Sequence, residues 1–463
     1  MLAEQENISL QQQFNEVIAS EDKLRIKEFL NDQNISDVAE LIYDNDDVET
    51  QIISHLSIHR AASVFKILDS IVQKRIIKDL PAFKSAELLN ELPADDRVDF
   101  FEELPNSTVR ELIKTLEPAE RKITLELLGY PENSVGRLMT PDYVYVYEYN
   151  TVKEVLETIR RWGTNSETID VIYVINGRGE LLDDIRIRDF ILASPDVKVS
   201  DLMDERFISL KINDDQEIAS EVFKMNNRTA LPVTDEKNIL LGIVTIDDVL
   251  WVAQEEYSED IQKIGGTEAL DEPYLDISIP KLIKKRAGWL VILFLSEMLT
   301  ATAMQYFQKE IEAATVLALF IPLIMSSGGN SGSQASTLII QAMALGEVTL
   351  ADWWRVMRRE LISGFILGVI LGSIGFLRII LWQNLHIFDY GIYWKLVAAT
   401  IFFSLIGIVL WGSLMGSMLP IILKKLKLDP AASSAPFVAT LVDVTGIVIY
   451  FSVAYFFLKG ILL

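Results

Sequence analysis

The chain contains no cysteine, which excludes disulfides and thiolate metal sites. Three histidines make an imidazole-based transition-metal centre improbable. Basic residues are outnumbered, 42 against 66 acidic, for a net charge of −24. No nucleic-acid partner is therefore expected, since phosphate contacts need a basic patch. No Gly-x-x-x-x-Gly-Lys-Ser/Thr segment is present, so the chain has no P-loop ATPase motif of its own. No nucleophile–base set is visible either, and an enzyme is not expected. The opening MLAEQENISLQQQF is polar and acidic, unlike a signal peptide.

What is present divides sharply. A chain of 463 residues is too long for one core. Residues 271–463 carry 12 acidic and 14 basic side chains, leaving 54 acidic and 28 basic in the first 270. An acidic soluble half thus precedes a nearly neutral apolar half. Such charge serves solubility, or it marks cation binding, because clustered carboxylates repel until a divalent ion sits among them.

Residues 1–130 read as short amphipathic helices, with apolar positions at helical spacing in LRIKEFL, AASVFKILDSI, SAELLNEL and RVDFFEEL. A cadence of helix, Leu-Pro or Glu-Pro, then helix predicts a stacked, superhelical array. Asp95, Asp96 and Asp99 open one of these helices, where they complement its dipole. Residues 137–260 contain a duplication: Leu138-Met139 and Leu202-Met203 each precede a helix, a strand (IYVIN; LPVTD), a turn, a strand and a last helix. Two such β-α-β-β-α units resemble a tandem CBS pair. Thr245 and Asp248 fit the Thr-x-x-Asp with which such domains often hold a ribose, whereas Arg186 stands at the Thr position of the first copy. A nucleotide, possible in one half only, would be ATP.

Residues 255–286 form a connector, with Glu256, Glu259 and Asp260 on one helical face and Gly265-Gly266 as a break. That face is either solvated or calls for a counter-ion. Five apolar spans follow, at about 287–307, 313–345, 361–382, 395–423 and 436–458, each near the roughly 20 residues that a bilayer requires. Basic residues gather before span one and in the loops after spans two and four. By the positive-inside pattern the acidic half is cytoplasmic and the C-terminus outside.

The second span holds PLIMSSGGNSGSQ at 322–334. Gly328, Gly329 and Gly332 are expected to let the backbone leave helical geometry, and Pro322 to kink it. Asn330 and Gln334 put amides at membrane depth, where irregular backbone is tolerated only under protein cover or beside water. Asp443 stands in the last span, and an intramembrane carboxylate is a functional hypothesis by default. Its structural alternative is a packing hydrogen bond with Thr440 or Thr445.

The segments IPLIMSSGGNSGSQASTLIIQAMALG, LDPAASSAPFVATLVDVTGIVIYF and RAGWLVILFL, with the helical N-domain, CBS pair and acidic connector, resemble the MgtE family of magnesium channels and transporters. The resemblance covers nearly the whole chain. It implies a multidomain fold: an α-helical superhelical N-domain at 1–130, tandem α/β CBS domains at 137–198 and 199–254, a connecting helix at 255–285, and an α-helical five-span transmembrane domain at 286–463. It implies a homodimer in the bacterial inner membrane whose pore runs between subunits. Asp443 would hold hydrated Mg²⁺, with backbone carbonyls near Gly328, Gly329 and Asn330 lining the path. Cytosolic Mg²⁺ bound among Asp95, Asp99, Asp215, Glu217, Asp248, Glu256, Glu259 and Asp260 would close it.

Departures from the family pattern are Ala435, where a polar Asn occurs in some members; Glu297, where a small or neutral residue is expected; and Asn227 and Trp251, where acids are expected. Glu297 is either protonated against a neighbouring helix or beside the ion route. Fewer charged ligands mean weaker divalent gating. The competing readings are a membrane-anchored CBS sensor without transport, and a broader transporter of Co²⁺, Mn²⁺ or Ni²⁺.

Overall fold

In the computed structural model, which describes residues 2–462 apart from Asp271 and Asp276 and side chains from Leu10 onward, the N-terminal apolar repeats fold as short helices. Met1 and Leu463, the outer limits of the expected first and last domains, lie outside the described residues, as do those two connector acids. The chain forms two units, Met1–Ala253 and Gln254–Leu463.

The proline cadence of the first unit has a direct cause. A residue before proline is pushed out of the helical region. Leu80 and Leu92 are accordingly extended, and Pro81 and Pro93 cap the helices that follow. Both leucines still bury their side chains, so each break also contributes to the core around Phe65, Leu88, Leu89, Phe100 and Phe101. Two helices of this array matter below: α1, Ile58–Lys66, and α2, Ala94–Glu102. Arg97 anchors α2. Its fully buried guanidinium donates to the Leu92 carbonyl at 2.7 Å, Glu120 at 2.6 Å and Thr124 at 3.1 Å.

The duplication appears as two three-stranded sheets. One has the order β1 (Tyr145–Tyr147), β2 (Val171–Ile175), β3 (Leu181–Arg186); the other β4 (Leu210–Lys211), β5 (Ala230–Thr234), β6 (Leu240–Thr245). In each, the first pair is parallel and the second antiparallel. The middle strands are buried along their whole length, and Tyr173, Leu181, Leu240 and Ile243 share one core across the pair. Between β4 and β5 runs α3, Gln216–Asn226, capped by Asp215 and ended at Asn227 in the left-handed conformation. That conformation favours Asn over an acid and accounts for Asn227 structurally.

The last CBS helix and the connector are one element. Helix α4, Ile246–Ile264, passes the expected boundary at 254/255 without interruption. Its sequence offers no glycine or proline before Gly265-Gly266, where Gly266 takes a φ of +74°.

Among its described residues, the second unit has five helices long and apolar enough to cross a membrane. Their cores are α5 (Ile279–Tyr306), α6 (Ile321–Ala344), α7 (Trp353–Asn384), α8 (Trp394–Lys425) and α9 (Ala435–Leu458). α5 and α7 begin earlier than their apolar runs suggest, taking in the basic residues at 284–286 and 355–359.

The expected break in the second span is corrected. α6 is helical through Gly328, Gly329, Asn330 and Gly332, and Pro322 sits in its first turn, where a missing N–H is harmless. The irregularity comes earlier, at Ala314 with φ −131° and ψ 68°. The glycines admit neighbours instead. A β-carbon on Gly328 would lie 2.4 Å from Ile408 Cγ2, and one on Gly412 2.4 Å from the Gly328 carbonyl oxygen. Keeping the helical ladder intact also avoids unsatisfied peptide groups at membrane depth.

Candidate functional site

Within the membrane unit, Asp443 lies on α9 against α6: a β-carbon on Gly329 would stand 3.9 Å from Asp443 Oδ1. The packing alternative for this carboxylate is not what the structure shows. Thr440 Oγ1 donates to the Pro436 carbonyl at 3.0 Å. Thr445 Oγ1 donates to the Leu441 carbonyl at 2.9 Å and accepts from Trp411 Nε1 at 2.8 Å. Neither threonine serves Asp443. Several polar groups of α6 are used in helix contacts: Ser331 with Ser413 at 2.8 Å, Ser333 with the Ala435 carbonyl at 2.9 Å, Ser336 with the Ser433 carbonyl at 2.8 Å. Ala435 thus enters through its backbone, at the first turn of α9. Ser326, Asn330 and Gln334, four residues apart in succession, form a different face. All three are exposed in the single chain, and the Asn330 amide reaches Ser326 at 3.4 Å.

The first unit brings acidic groups from three places together. Asp95 and Asp96 come from the start of α2, Glu167 from the first CBS repeat, Asp247 and Asp248 from the first turn of α4. Asp95 is 5% exposed, and its Oδ1 has no hydrogen-bond partner among the described residues. Burial, then the negative charges of Asp248, Asp96, Glu167 and Asp99, push its carboxyl well above the usual range. Asp248 is pushed up to about 7, chiefly by burial, against the opposing hydrogen bond from Thr245 Oγ1 at 2.5 Å.

Lys66, at the end of α1, enters the same pocket. Its Nζ lies 3.4 Å from Asp96 Oδ2. Burial would lower the lysine, but Asp96, Glu167, Asp247 and Asp248 together raise it above its ordinary value. A tethered ammonium therefore already stands among these carboxylates. Among the described residues, no three acidic or histidine side chains converge closely enough to hold a metal ion.

The other expected sensor residues lie elsewhere. Asp215 caps α3, accepting from the Glu217 amide at 3.0 Å, and Glu217 is in that helix's first turn. Glu256, Glu259 and Asp260 are in the second unit, on the latter part of α4. There Lys263 pairs with Glu259 and with Asp429 Oδ2 at 2.7 Å. Burial and then Asp429 raise the Asp260 carboxyl. Trp251 is exposed on α4. Sequence reasoning missed Lys66, Glu167 and the Lys263–Asp429 pair, which no local pattern marks. It also missed Gly412 and Gly416, although small residues four apart in a membrane helix do signal close packing.

Family comparisons agree with this layout. Residues 321–453 match a family model described as a divalent cation transporter, MgtE; residues 33–133 match the MgtE intracellular N domain; residues 135–196 and 199–255 match CBS domains. A magnesium transporter MgtE of Thermus thermophilus is 39% identical over 349 residues, 75% of each chain. Its counterpart in Bacillus subtilis is 31% identical over 349 residues, again 75% of each. A crystal structure of the cytosolic domain of the Mg²⁺ channel MgtE in complex with ATP aligns with 52% of this chain and 98% of that one, at 32% identity and a TM-score of 0.50. The soluble part of a magnesium transporter aligns with 54% of this chain and 99% of its own, at 26% identity and a TM-score of 0.51. With its helical N-terminal region, paired CBS repeats and five membrane-length helices in the same order, the chain belongs to the MgtE family of divalent cation transporters.

Proposed function

We propose that the chain carries Mg²⁺ across the bacterial inner membrane through a channel-like path beside Asp443, as a homodimer with its acidic unit in the cytoplasm. The observation that carries this reading is the setting of Asp443. Its carboxylate sits against Gly329 at membrane depth, its neighbouring threonines are committed elsewhere, and the helix that carries Gly329 leaves its Ser326–Asn330–Gln334 face uncovered in the single chain. Polar side chains in a bilayer face a bundle interior or water. Mg²⁺ surrenders its water shell reluctantly. A carboxylate with amides and hydroxyls nearby suits the hydrated ion better than a dehydrating cage. The unbroken α6 shifts the expected role of Gly328 and Gly329: they bring α6, α8 and α9 together, leaving Asn330 and its neighbours to meet the ion through side chains.

Gating by cytosolic divalent cation belongs to the same proposal. The negative charge of Asp95, Asp96, Asp247 and Asp248 attracts a cation although these carboxylates do not converge on one point as they stand, and Lys66 supplies one charge permanently. The external ion then competes with an ammonium, so control is weaker than in a relative whose pocket is wholly acidic. Domain limits at 130, 198, 254 and 285 serve as working boundaries, with α4 running across the one at 254. ATP fits the second CBS repeat, where Thr245 and Asp248 present a hydroxyl and a carboxylate suited to a ribose diol. Arg186 denies the first repeat that pair.

The deciding experiment is Mg²⁺ flux into proteoliposomes. Asp443→Asn abolishes flux while the purified variant stays folded. Flux undiminished in that variant would remove the transport path from Asp443.

A further inference from the structure

Glu297 is unexplained by anything above. It lies mid-way along α5, whose contact with α9 is fastened at two levels. Trp289 Nε1 donates to Ser434 Oγ at 3.1 Å, with its ring 6.1 Å from Phe437. Further along, Phe307 stacks on Phe451 at 4.8 Å and 14°. Both pairs advance in the same chain direction, so the helices run parallel. At about 1.5 Å of rise per residue, Glu297 stands about 12 Å beyond Trp289 and Asp443 about 13.5 Å beyond Ser434. Measured back from the second pair, the heights are about 15 and 12 Å. The two carboxylates are therefore level on parallel helices.

Two further observations concern what lies around them. Glu297 is exposed in the single chain, between exposed Phe294, Leu295, Met298 and Leu299. A bare carboxylate on such a surface is costly in hydrocarbon. Yet α6, α9 and the part of α5 beyond Arg286 contain no lysine or arginine to compensate it. Independently, α6, the helix whose Gly329 packs beside Asp443, carries an uncovered Ser326–Asn330–Gln334 face whose hydrogen-bonding groups suit water rather than lipid.

We infer that Glu297 is a second carboxylate of the ion path, facing the hydrated divalent cation together with Asp443 and setting how tightly the path holds it. The inference rests on the transport reading above. The cation supplies the positive charge that the protein omits there, and the carboxylate accepts hydrogen bonds from the ion's bound water. A second negative group raises affinity for a divalent ion more than for a monovalent one, because the attraction scales with the ion's charge.

The test uses the full chain in proteoliposomes. Mg²⁺ flux is measured against Mg²⁺ concentration, and its block by hexaamminecobalt(III), a trivalent complex whose fixed ammines imitate a hydrated ion, is titrated. Glu297→Gln is expected to raise both the half-saturating Mg²⁺ and the half-blocking complex by about tenfold, with Glu297→Asp restoring most of each. The inference is overturned if Glu297→Gln shifts neither value while Asp443→Asn abolishes flux. If Asp443→Asn itself leaves flux intact, the transport reading falls and takes this inference with it.

Discussion

Gly416 meets Gly332 backbone to backbone: a β-carbon on Gly416 would stand 2.1 Å from the Gly332 carbonyl oxygen. The contact continues through Gly412, whose added β-carbon would lie 2.4 Å from the Gly328 carbonyl oxygen. Along α7, Gly364, Gly368 and Gly372 do the same against Leu410, Ile406 and Phe402 of α8. Small residues are how membrane helices approach closely when the hydrophobic effect no longer separates inside from outside. Gly416→Ala is therefore expected to force α6 and α8 apart at a cost of about 1–3 kcal/mol. A lower thermal midpoint in detergent, read by size-exclusion chromatography after heating, checks this. An Ala variant as stable as the parent contradicts the contact.

Lys66 gives a second expectation. Replacing it with Met removes the ammonium from among Asp96, Glu167, Asp247 and Asp248 but keeps the aliphatic stem. The pocket then needs an external cation more strongly. In the full chain, the Mg²⁺ concentration that half-protects residues 1–253 from protease is expected to fall by about tenfold. The parent, by the same logic, shows protection only at comparatively high Mg²⁺. Equal Mg²⁺ dependence in parent and variant would show that Lys66 does not compete with the ion.

The pH dependence has a definite sign. Burial raises Asp95, lifts Asp248 to about 7 and lifts Asp184 to about 6, so each holds its proton more firmly folded than unfolded. Their contribution to stability is complete below the ordinary aspartate value of 3.8; that of Asp184 is lost as pH rises through about 6 and that of Asp248 through about 7, and Asp95 acts with the same sign. Without divalent cations, the protease resistance of the first unit should decline from mildly acid to neutral solution. Asp248→Asn should make that decline shallower, leaving the part due to Asp95 and Asp184. A resistance that rises over this range would contradict the burial of these carboxyls.

Much of this is legible in the amino-acid sequence. The five spans, the CBS duplication and the intramembrane position of Asp443 follow from long apolar runs, a repeated pattern and one misplaced charge. The glycine stretch was misjudged because glycine signals two opposite things, a backbone free to bend and a backbone free to be approached. Only the partners Ile408, Gly412 and Val442 decide between them. The continuity of α4 across 254/255 is legible too, since nothing in IDDVLWVAQEEYSEDIQKI breaks a helix. Lys66 was out of reach, since a lysine ending an amphipathic helix looks like solvated surface until Asp96 is folded against it.

The glycine seam also bears on what genetics can repair. In an ordinary core, an oversized residue on one helix can be rescued by a smaller one opposite. Where peptide backbone touches peptide backbone, as at Gly332 and Gly416, neither side has anything left to trim. Second-site suppressors of a bulky substitution there should not arise across the contact, and recovery should come by reversion alone.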